Sequence, residues 1–340
     1  MTEKCFPDRC SVESNNVKPF DGKPCSVGVI IPFKDSSDEL EKQLGSIRAQ
    51  AKSAEQIVLV DDGSSPAEKA RLAEILRSFP EVSLLTLAEN IGAGGACNKG
   101  LEAISTEYVC FLSANDWTLP NFFEISSSKL DGHPRCSVCI CDPYIFYEGN
   151  RKYLRSRLGL SPAATYFNEA EALGILQRSY FTAQTNSALF RTEFVREAGG
   201  MPTELQSFAD CFLVFNAMLS GGFCYIPEPL GVYVERPQGY SLTYRRDKIA
   251  KRQLLQRYLN IIEADTNLKD RFRSIGVCPT HDLQALWGIT WRGDARWYLT
   301  ARLARRCIVY SVWGLIRDYS PMFFRNRVRH VSGFFAQRRS

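Results

Sequence analysis

Short β-branched runs alternate with segments of helical periodicity between residues 26 and 112. The predicted strands are 26–32, 56–60, 82–87 and 107–112, and the predicted helices are 37–51, 66–79 and 93–104. Strands that alternate with helices are joined by right-handed crossovers, which gives a mostly parallel sheet with ligands bound beyond the carboxyl ends of its strands. The sequence therefore predicts an α/β fold with a Rossmann-like central sheet flanked by helices.

The rest of the chain is less regular. Helices are predicted at 121–129, 169–177, 193–198 and 210–220, and strands at 136–141, 188–191 and 224–226. We expect 232–234 to pair with the last of these strands. A chain of 340 residues exceeds the size of one ordinary core. The predicted organisation is an N-terminal tail over 1–25, a main domain over 26–245 and a helical, basic C-terminal extension over 246–340.

The formal net charge of +5 is the sum of two parts of the chain with opposite charge. Residues 241–340 contain 20 Lys and Arg against 7 Asp and Glu, whereas residues 1–240 contain 22 against 30. The main domain is therefore acidic and the extension strongly basic.

Cysteine usage and hydropathy bear on the cellular compartment. The chain has 12 Cys, but its first residues carry charges and lack the apolar core of a signal peptide, so we expect a cytoplasmic protein with reduced thiols. Cys136, Cys139 and Cys141 lack a second ligand pair at zinc spacing and are predicted to be small apolar side chains of a buried strand. The uncharged stretch 307–316 is too short to span a bilayer.

Polar residues cluster where the predicted strands end. They are Asp35, Asp61, Asp62, Asn90, Ser113, Asn115 and Asp116. Carboxylates at such positions accept hydrogen bonds from the base and ribose of a nucleotide. Three other signatures are absent from the sequence: the glycine-rich segment 92–97 lacks the dinucleotide fingerprint, no phosphate-binding P-loop occurs, and there is no Gly-x-Ser-x-Gly nucleophile elbow.

Several segments occur in a characteristic order. They are VIIP at 29–32, IVLVDDGS at 57–64, NIG at 90–92 with Asn98 and Gly100, FLSAND at 111–116, FAD at 208–210 and YIPEPL at 225–230. On these landmarks the chain resembles the family 2 glycosyltransferases over about residues 26–240. The resemblance implies a GT-A fold and inverting transfer of a sugar from a nucleotide-diphosphate donor to a hydroxyl of a glycan or lipid-linked acceptor.

The resemblance also implies a nucleotide site. In the similar enzymes the Asp-Asp-Gly-Ser segment holds the base and ribose, which corresponds here to Asp61 and Asp62. The other residues expected at the donor are Pro32, Asp35, Asn90, Gly92, Asn98 and Asn115. The alternative is that Asp-Gly-Ser is a turn with a helix cap and that the glycine-led segment after Asn90 is only a helix start.

One landmark departs from the family pattern. Where the family carries Asp-x-Asp for Mg²⁺ or Mn²⁺, this chain has Ser113-Ala-Asn115-Asp116. Asp116 is the remaining metal candidate, because hard cations prefer oxygen ligands and Asn115 offers only a carbonyl oxygen. A bound divalent cation and a metal-free site in which Lys or Arg stabilises the diphosphate both stay open, as does a helix cap at Asp116.

Inverting transfer needs a base to take the proton of the acceptor hydroxyl. By the resemblance this base is Asp210, although Ala209 replaces the usual Glu; the alternative is a simple helix N-cap. Arg236 is expected at the diphosphate, and Gln184, Asn186 and Arg191 are expected on the acceptor side. Because acids are missing at 113, 115 and 209, a non-catalytic sugar-nucleotide-binding module is the competing hypothesis.

The C-terminal extension mixes arginine with aromatic residues. The arginines are Arg302, Arg305, Arg306, Arg317, Arg325, Arg327, Arg329, Arg338 and Arg339, and the aromatic residues are Trp297, Trp313, Phe323, Phe324, Phe334 and Phe335. This mixture suits peripheral attachment to an anionic membrane on its inner face. The alternative is a basic helical bundle that packs on the acidic main domain. No nucleic-acid motif accompanies the extension, so no nucleic-acid partner is expected.

Overall fold

The computed structural model describes residues 26–319 apart from 180, 182–183, 237–246, 281–282 and 292. The predicted tail over 1–25, the predicted boundary at 245–246 and the basic residues beyond 319 lie outside these ranges. The described strands are β1 (Val27–Phe33), β2 (Gln56–Asp61), β3 (Val82–Thr86), β4 (Tyr108–Phe111), β5 (Trp117–Thr118), β6 (Val138–Tyr147), β7 (Lys152–Arg155), β8 (Thr165–Phe167), β9 (Ala188–Arg191) and β10 (Phe223–Glu235).

The helices alternate with these strands and then form the C-terminal part of the described chain. They are α1 (Leu40–Arg48), α2 (Pro66–Arg77), α3 (Ala93–Ala103), α4 (Phe122–Asp131), α5 (Glu169–Arg178), α6 (Thr192–Glu197), α7 (Ala209–Gly221), α8 (Lys248–Ala264), α9 (Thr266–Ile275), α10 (Leu283–Trp291) and α11 (Ala301–Tyr319).

Local sequence explains where α2 begins. Ser65 precedes the helix in an extended conformation, and its hydroxyl accepts a hydrogen bond from the Glu68 N–H. Pro66 occupies the first helical position, where no backbone donor is needed. The chain therefore passes from β2 through a short turn directly into α2. The residues of this turn lie at the carboxyl end of the strand.

All ten strands belong to one sheet. Its central order is β3-β2-β1-β4-β9-β6-β10-β5, with β7 added to β6 and β8 to β10. The strands β1 to β3 extend in one direction, and β4 pairs on the other side of β1. Sequence order therefore reverses between β1 and β4, and in open α/β sheets the crevice at such a point binds ligands.

The sheet is mixed, but most of its strands run in one direction. Parallel pairs join β1 to β2 and β4, β2 to β3, and β6 to β10, whereas β9 lies antiparallel between β4 and β6. Six of the ten described strands therefore share one orientation. The predicted α/β fold with a largely parallel central sheet is confirmed.

The prediction of two paired strands near residues 224 and 232 is wrong. These residues belong to the single strand β10, whose register against β6 shifts at Pro229. Proline removes a ladder donor and is tolerated in sheets at such irregularities, so Pro227 and Pro229 deform the strand without ending it. β10 consequently continues as one strand from Phe223 to Glu235, and its C-terminal part reaches the candidate site.

Apolar side chains fill both faces of the sheet. Cys139 and Cys141 are buried in β6, as predicted for small apolar side chains. Gly100 of α3 lies directly over β1: a Cβ at this position would come within 2.4 Å of Ile30 Cγ2. Glycine is therefore what lets α3 approach the sheet this closely.

We expect Gly100→Ala to lower the free energy of unfolding by about 1–3 kcal/mol, because the added methyl group overpacks the α3–sheet contact. The matched control is Gly45→Ala in α1, where nothing lies within 4 Å of the added Cβ. That change should raise stability by about 0.4–1 kcal/mol by restricting the unfolded chain. Urea unfolding of both variants measures the difference; equal effects at the two glycines would contradict the packing argument.

The described C-terminal helices pack on the main domain. Tyr258 and Phe272 belong to the same apolar cluster as Phe212 of α7, and the Phe212 and Phe272 rings stack 4.7 Å apart. Buried Arg306 of α11 donates a hydrogen bond to the Ser179 carbonyl beyond α5. These contacts support the packed basic bundle. Within the described residues, no helix is both long enough and apolar enough to cross a bilayer.

Candidate functional site

The loops that follow β1 and β2 are tied together at the carboxyl ends of these strands. The Asp62 N–H donates to the Phe33 carbonyl over 2.8 Å, and the Asp35 N–H donates to Ser64 Oγ over 3.1 Å. The two loops therefore form one rim of the crevice beside the sheet's reversal point.

Asp62 fixes the loop that precedes α3. Its Oδ1 accepts the Ile91 N–H at 2.7 Å and its Oδ2 accepts the Gly92 N–H at 2.9 Å. Asn90 Oδ1 also accepts the Gly92 N–H, at 2.9 Å. Gly92 has a φ of 85°, a conformation that glycine adopts without strain. Residues Asn90 and Gly92, predicted at the donor, are thus held at the crevice by Asp62.

Asp61 shapes the adjacent turn. Its Oδ1 accepts the Ser64 N–H at 3.0 Å, and its Oδ2 is buried, with Lys69 Nζ 3.8 Å away. Gly63 adopts a φ of 70°, and a Cβ there would lie 2.9 Å from the Asn90 nitrogen. The turn geometry expected for Asp-Gly-Ser is present, at the end of a central strand.

Pro32 and Asp35 lie on the β1 side of the same rim. Pro32 is next to Val60 in the β1–β2 register. Asp35 is exposed, has a φ of 43°, and its Oδ1 accepts the Ser65 N–H at 2.9 Å. This hydrogen bond is the main reason why the pKa of Asp35 lies below its ordinary value.

Asp116 is almost completely buried between β10 and the turn before β9. Its Oδ1 accepts the Val234 N–H at 2.8 Å and its Oδ2 accepts Asn186 Nδ2 at 3.1 Å. Desolvation raises the pKa of its carboxyl to about 7 despite these bonds. The helix-cap alternative for Asp116 is wrong, because α4 begins at Phe122 and Asn121 precedes it.

Asp210 lies in the first turn of α7 and is exposed to solvent. The surrounding protein atoms nevertheless raise the pKa of its carboxyl to about 6, mainly by desolvation, while a hydrogen bond with the Thr185 side chain opposes this rise. Asp210 is therefore accessible from solvent although protein atoms surround part of its carboxyl group. Phe208 occupies the N-cap position and no side chain caps the helix, so the N-cap alternative for Asp210 is wrong.

Two consecutive side chains connect the buried and the exposed carboxylate. Thr185 bonds to Asp210 and Asn186 bonds to Asp116, both from the short turn Thr185–Ser187. The negative charge of Asp210 contributes to the raised pKa of Asp116, so the two groups are close enough to interact. The sequence does not single out Thr185, whose only signal is its place directly before Asn186.

The Asp62 side of the crevice is near the same two acids. Cys97, buried in α3, has a pKa above its ordinary value because of desolvation and because the charges of Asp210 and Asp62 both act on it. The structure thus brings Asp62, Asp116 and Asp210 around the first turns of α3 and α7.

Three acceptor atoms at this site are buried without a hydrogen-bond partner: Asp61 Oδ2, Gln184 Oε1 and Asn186 Oδ1. Buried polar atoms are normally satisfied, so such atoms point to a ligand or ion. Asn186 Oδ1, Asp116 and half-buried Asn115 are oxygen donors of the kind Mg²⁺ and Mn²⁺ prefer, and these residues fit a cation that a diphosphate completes. No cluster of three His, Cys, Asp or Glu that could hold a metal occurs among the described residues.

Two predicted donor residues have extensive protein contacts. Asn98 Nδ2 donates to the Met201 carbonyl at 2.9 Å, and its Oδ1 accepts the Met201 N–H at 2.7 Å, which joins α3 to the loop before α7. Arg236 bonds Glu148 at 3.1 Å and lies 3.8 Å from Glu39. Asn98 thus fixes the position of α3 relative to the loop before α7. The carboxylates of Glu148 and Glu39 orient the Arg236 guanidinium.

The acceptor-side prediction is wrong for Arg191. Its guanidinium donates to the Cys136 and Leu130 carbonyls and to Glu107, at 3.1, 2.9 and 3.2 Å. These partners lie at the opposite end of β9 from Asn186, so Arg191 fastens the sheet to α4.

Comparisons with known proteins identify the family of this chain. The family model "Glycosyl transferase family 2" matches residues 28–198. The amylovoran biosynthesis glycosyltransferase AmsE of Erwinia amylovora is 30% identical over 40% of this chain and 51% of its own. The chain spans only part of the length of the curated relatives that it matches: 22%, 51% and 28% for three of them.

Two solved structures share the fold. S. aureus TarS 1–349 in complex with UDP-GlcNAc has a TM-score of 0.56 and 15% identity, over 91% of this chain and 88% of that one. The mannosyltransferase PcManGT of Pyrobaculum calidifontis, in complex with GDP-Man and Mn²⁺, has a TM-score of 0.53 and 18% identity, over 94% and 89%.

The family model spans half of the 340 residues and includes β1, β2, β4 and the loop carrying Asp116. The sequence match and the fold agree, and the chain belongs to glycosyl transferase family 2.

Proposed function

We propose that this chain transfers a sugar from a nucleotide-diphosphate donor to a hydroxyl of a glycan or lipid-linked acceptor, with inversion, and that Asp210 is the general base. The observation that carries this proposal is the pair of acids held by Thr185 and Asn186. One is buried and suited to a diphosphate or its cation, and the other is solvent-accessible with a pKa of about 6.

The donor is proposed to lie along the rim formed by the loops after β1 and β2. Asp61 and Asp62 are buried acids at the end of a central strand, and Asp62 orients backbone N–H groups of the Asn90–Gly92 loop. Pro32 and Asp35 would border the base and ribose. Relatives of the same fold have been solved with UDP-GlcNAc and GDP-Man, which supports this class of donor.

Asp116, Asn115 and Asn186 Oδ1 would hold a divalent cation against the diphosphate. When bound, a cation supplies positive charge to the leaving diphosphate. Asp116 is then kept ionised, because a nearby positive charge lowers a carboxyl pKa. Arg236, held by Glu148, is proposed to lie near the same group and would donate through its planar fork.

Asp210 would accept the proton from the acceptor hydroxyl as that oxygen attacks the anomeric carbon. The residue is exposed to solvent, so an acceptor can approach it, and its raised pKa makes it a stronger base than an ordinary aspartate. Thr185 keeps the carboxylate oriented through its hydroxyl.

Thermal denaturation with added nucleotides tests the donor site. We expect UDP or GDP with Mn²⁺ to stabilise the protein, by about 2.7 kcal/mol at a concentration 100 times the dissociation constant. Asp62→Ala should abolish the shift because the loop before α3 loses its anchor. A nucleoside monophosphate serves as control. Equal shifts for monophosphate and diphosphate would contradict a diphosphate site at Asp116.

The two raised pKa values predict how activity depends on pH. Because kcat/KM reports the enzyme before donor and cation bind, Asp116 and Asp210 must both lose their protons in that state, and kcat/KM should fall as the pH is lowered from about 7 through about 6. Interacting acids protonate as a pair, and the decline should be steeper than for one proton. Rates measured between pH 5 and 8.5 at constant ionic strength check this. A constant kcat/KM down to pH 5.5 would rule out both assignments.

A non-catalytic sugar-nucleotide-binding module is the second candidate, because neutral residues stand at Ser113, Asn115 and Ala209. Such a module would show the nucleotide stabilisation without turnover of any donor. The two functions are therefore separated by assaying release of the nucleoside diphosphate.

The protein is further proposed to work in the cytoplasm, attached peripherally to the inner face of the membrane. The support is the basic excess of residues 241–340, much of which lies beyond the described part of the chain. The extension over 246–340 would thereby bring the main domain to its acceptor.

A further inference from the structure

Exposed apolar side chains are concentrated on two adjacent C-terminal helices. Ten large apolar residues are exposed within the described ranges, and six of them lie on α10 and α11. The six are Leu283, Trp287, Trp291, Ile308, Tyr310 and Val312. Isolated exposed apolar residues need no explanation, whereas a contiguous group marks an interaction surface.

The α10 residues form one stripe. Leu283, Trp287 and Trp291 follow each other at intervals of four, which places them on one face of the helix. The two tryptophan side chains are 66% and 70% exposed, and their rings lie 5.3 Å apart. The Leu283 N–H donates to Ser311 Oγ over 3.1 Å, so this stripe begins beside α11.

The exposed stripe of α11 combines apolar and basic side chains. Arg305, Ile308 and Val312 are spaced by three and four residues and are all exposed. Arg305 also lines a cavity of about 250 Å³ between α5 and α11, together with Arg178 and Arg302. We name the two exposed stripes and this cavity the α10–α11 face.

The cavity is suited to an anion. Its five lining residues include three arginines and no acid. Within the described residues, neither Arg178 nor Arg305 forms an ion pair with a carboxylate. Guanidinium groups without a carboxylate partner bind phosphate oxygens well, because their planar fork matches the geometry of a phosphate.

We infer that the α10–α11 face is the surface by which this protein binds an anionic bilayer, with Trp287 and Trp291 at the headgroup level and Arg178 and Arg305 on lipid phosphates. The inference rests on the proposed membrane attachment and specifies where it occurs. It is independent of the chemistry at Asp210. Tryptophan favours the boundary between headgroups and acyl chains, and each basic residue near an anionic surface adds attraction.

Charge favours a bilayer over a second copy of this chain. A twofold contact through this face would oppose the arginines of one copy to those of the other, within a region carrying 20 basic and 7 acidic residues. An anionic bilayer instead supplies phosphates for the arginines and an apolar layer for the rings.

Vesicle binding by the full chain tests the inference. We expect sedimentation with phosphatidylglycerol vesicles, weak sedimentation with phosphatidylcholine, and a blue shift of tryptophan fluorescence on binding. The variants Trp287→Ala/Trp291→Ala and Arg178→Gln/Arg305→Gln should each weaken binding to phosphatidylglycerol by about tenfold or more. Nucleoside diphosphate release and thermal stability should be retained in both.

Matched controls replace similar side chains elsewhere. Tyr153→Ala removes an aromatic side chain that is 51% exposed on β7, and Arg71→Gln/Arg77→Gln removes two charges from α2. Both should bind vesicles within about twofold of the unchanged protein. Equal losses in controls and test variants would overturn the inference.

Four further results would also overturn it. One is that both test variants still bind phosphatidylglycerol vesicles as the unchanged protein does. Membrane attachment would then depend on other parts of the extension. Another is a stable dimer in sedimentation velocity that Trp287→Ala/Trp291→Ala dissociates. The third is protection of these tryptophans from a soluble quencher in the absence of vesicles. Absence of vesicle binding by the unchanged chain would reject membrane attachment altogether, while leaving sugar transfer intact.

Discussion

Asp210→Asn is expected to lower kcat for sugar transfer by about 10²- to 10⁴-fold, the range that a positioned general base contributes. Asparagine has nearly the same shape and can still bond the Thr185 hydroxyl, but it cannot take a proton from the acceptor. Nucleotide binding should stay within about twofold of the unchanged protein. The measurement is the release rate of nucleoside diphosphate at saturating donor, with thermal stability recorded in parallel.

A charge-matched control separates this effect from a general loss of negative charge. Asp270 is an exposed acid on α9, far along the chain from the site, and Asp270→Asn should leave kcat unchanged. The acid limb of the pH profile should also become shallower in Asp210→Asn, since one of the two titrating groups is gone. A variant that retains kcat at pH 7.5 would remove Asp210 from the mechanism.

Asp116→Asn is predicted to lower kcat/KM by about 10²-fold or more, since the charge that faces the diphosphate or its cation is lost. The stability change should be only about 1 kcal/mol, because the Val234 N–H keeps an oxygen acceptor. Asn186 would rotate its amide and present its Oδ1 to the new NH₂ group. High Mn²⁺ should restore part of the activity if the cation is merely bound more weakly.

Donor titrations with and without Mn²⁺ distinguish the possible roles of Asp116. If this residue only supports β10, the variant will lose stability in proportion to activity and show no Mn²⁺ dependence. Asn186→Ala serves as a comparison, since it removes one partner of Asp116 and the unbonded Oδ1 while leaving the carboxylate in place. An Asp116→Asn protein with normal kcat/KM would contradict the proposed diphosphate site.

The sequence predicts the first half of the fold well, for physical reasons. Each strand from β1 to β4 is a compact apolar run followed by a turn signal, and helices such as α2 carry their own caps. Residues at the ends of parallel strands necessarily meet at one edge of the sheet. The sequence therefore predicts that Asp35, after β1, and Asp62, after β2, lie at the same edge of the sheet.

The second half depends on contacts between distant segments, which local patterns do not reveal. Two prolines suggest an interruption near residue 228, yet β10 continues because its pairing with β6 absorbs the register shifts. The bond from the Val234 N–H to Asp116 spans 118 positions. The role of Thr185 was likewise invisible, because only the folded chain places its hydroxyl beside Asp210.

The exposed side chains of the C-terminal helices could not be predicted from local sequence patterns either. Composition indicates that residues 241–340 are basic and aromatic, but not which side chains remain exposed. Trp297 is partly buried against the core, whereas Trp287 and Trp291 are exposed. Within the described residues, most of the exposed large apolar side chains of this region lie on α10 and α11.

The most direct test of the account is donor turnover by the unchanged chain. Purified protein is incubated with Mn²⁺ and each of a panel of nucleotide-diphosphate sugars, including UDP-GlcNAc and GDP-Man, with and without short oligosaccharide acceptors. We predict release of the nucleoside diphosphate from at least one donor, stimulated by an acceptor and abolished in Asp210→Asn. Clear stabilisation by a nucleoside diphosphate with no release from any donor would contradict the account and identify the chain as a binding module.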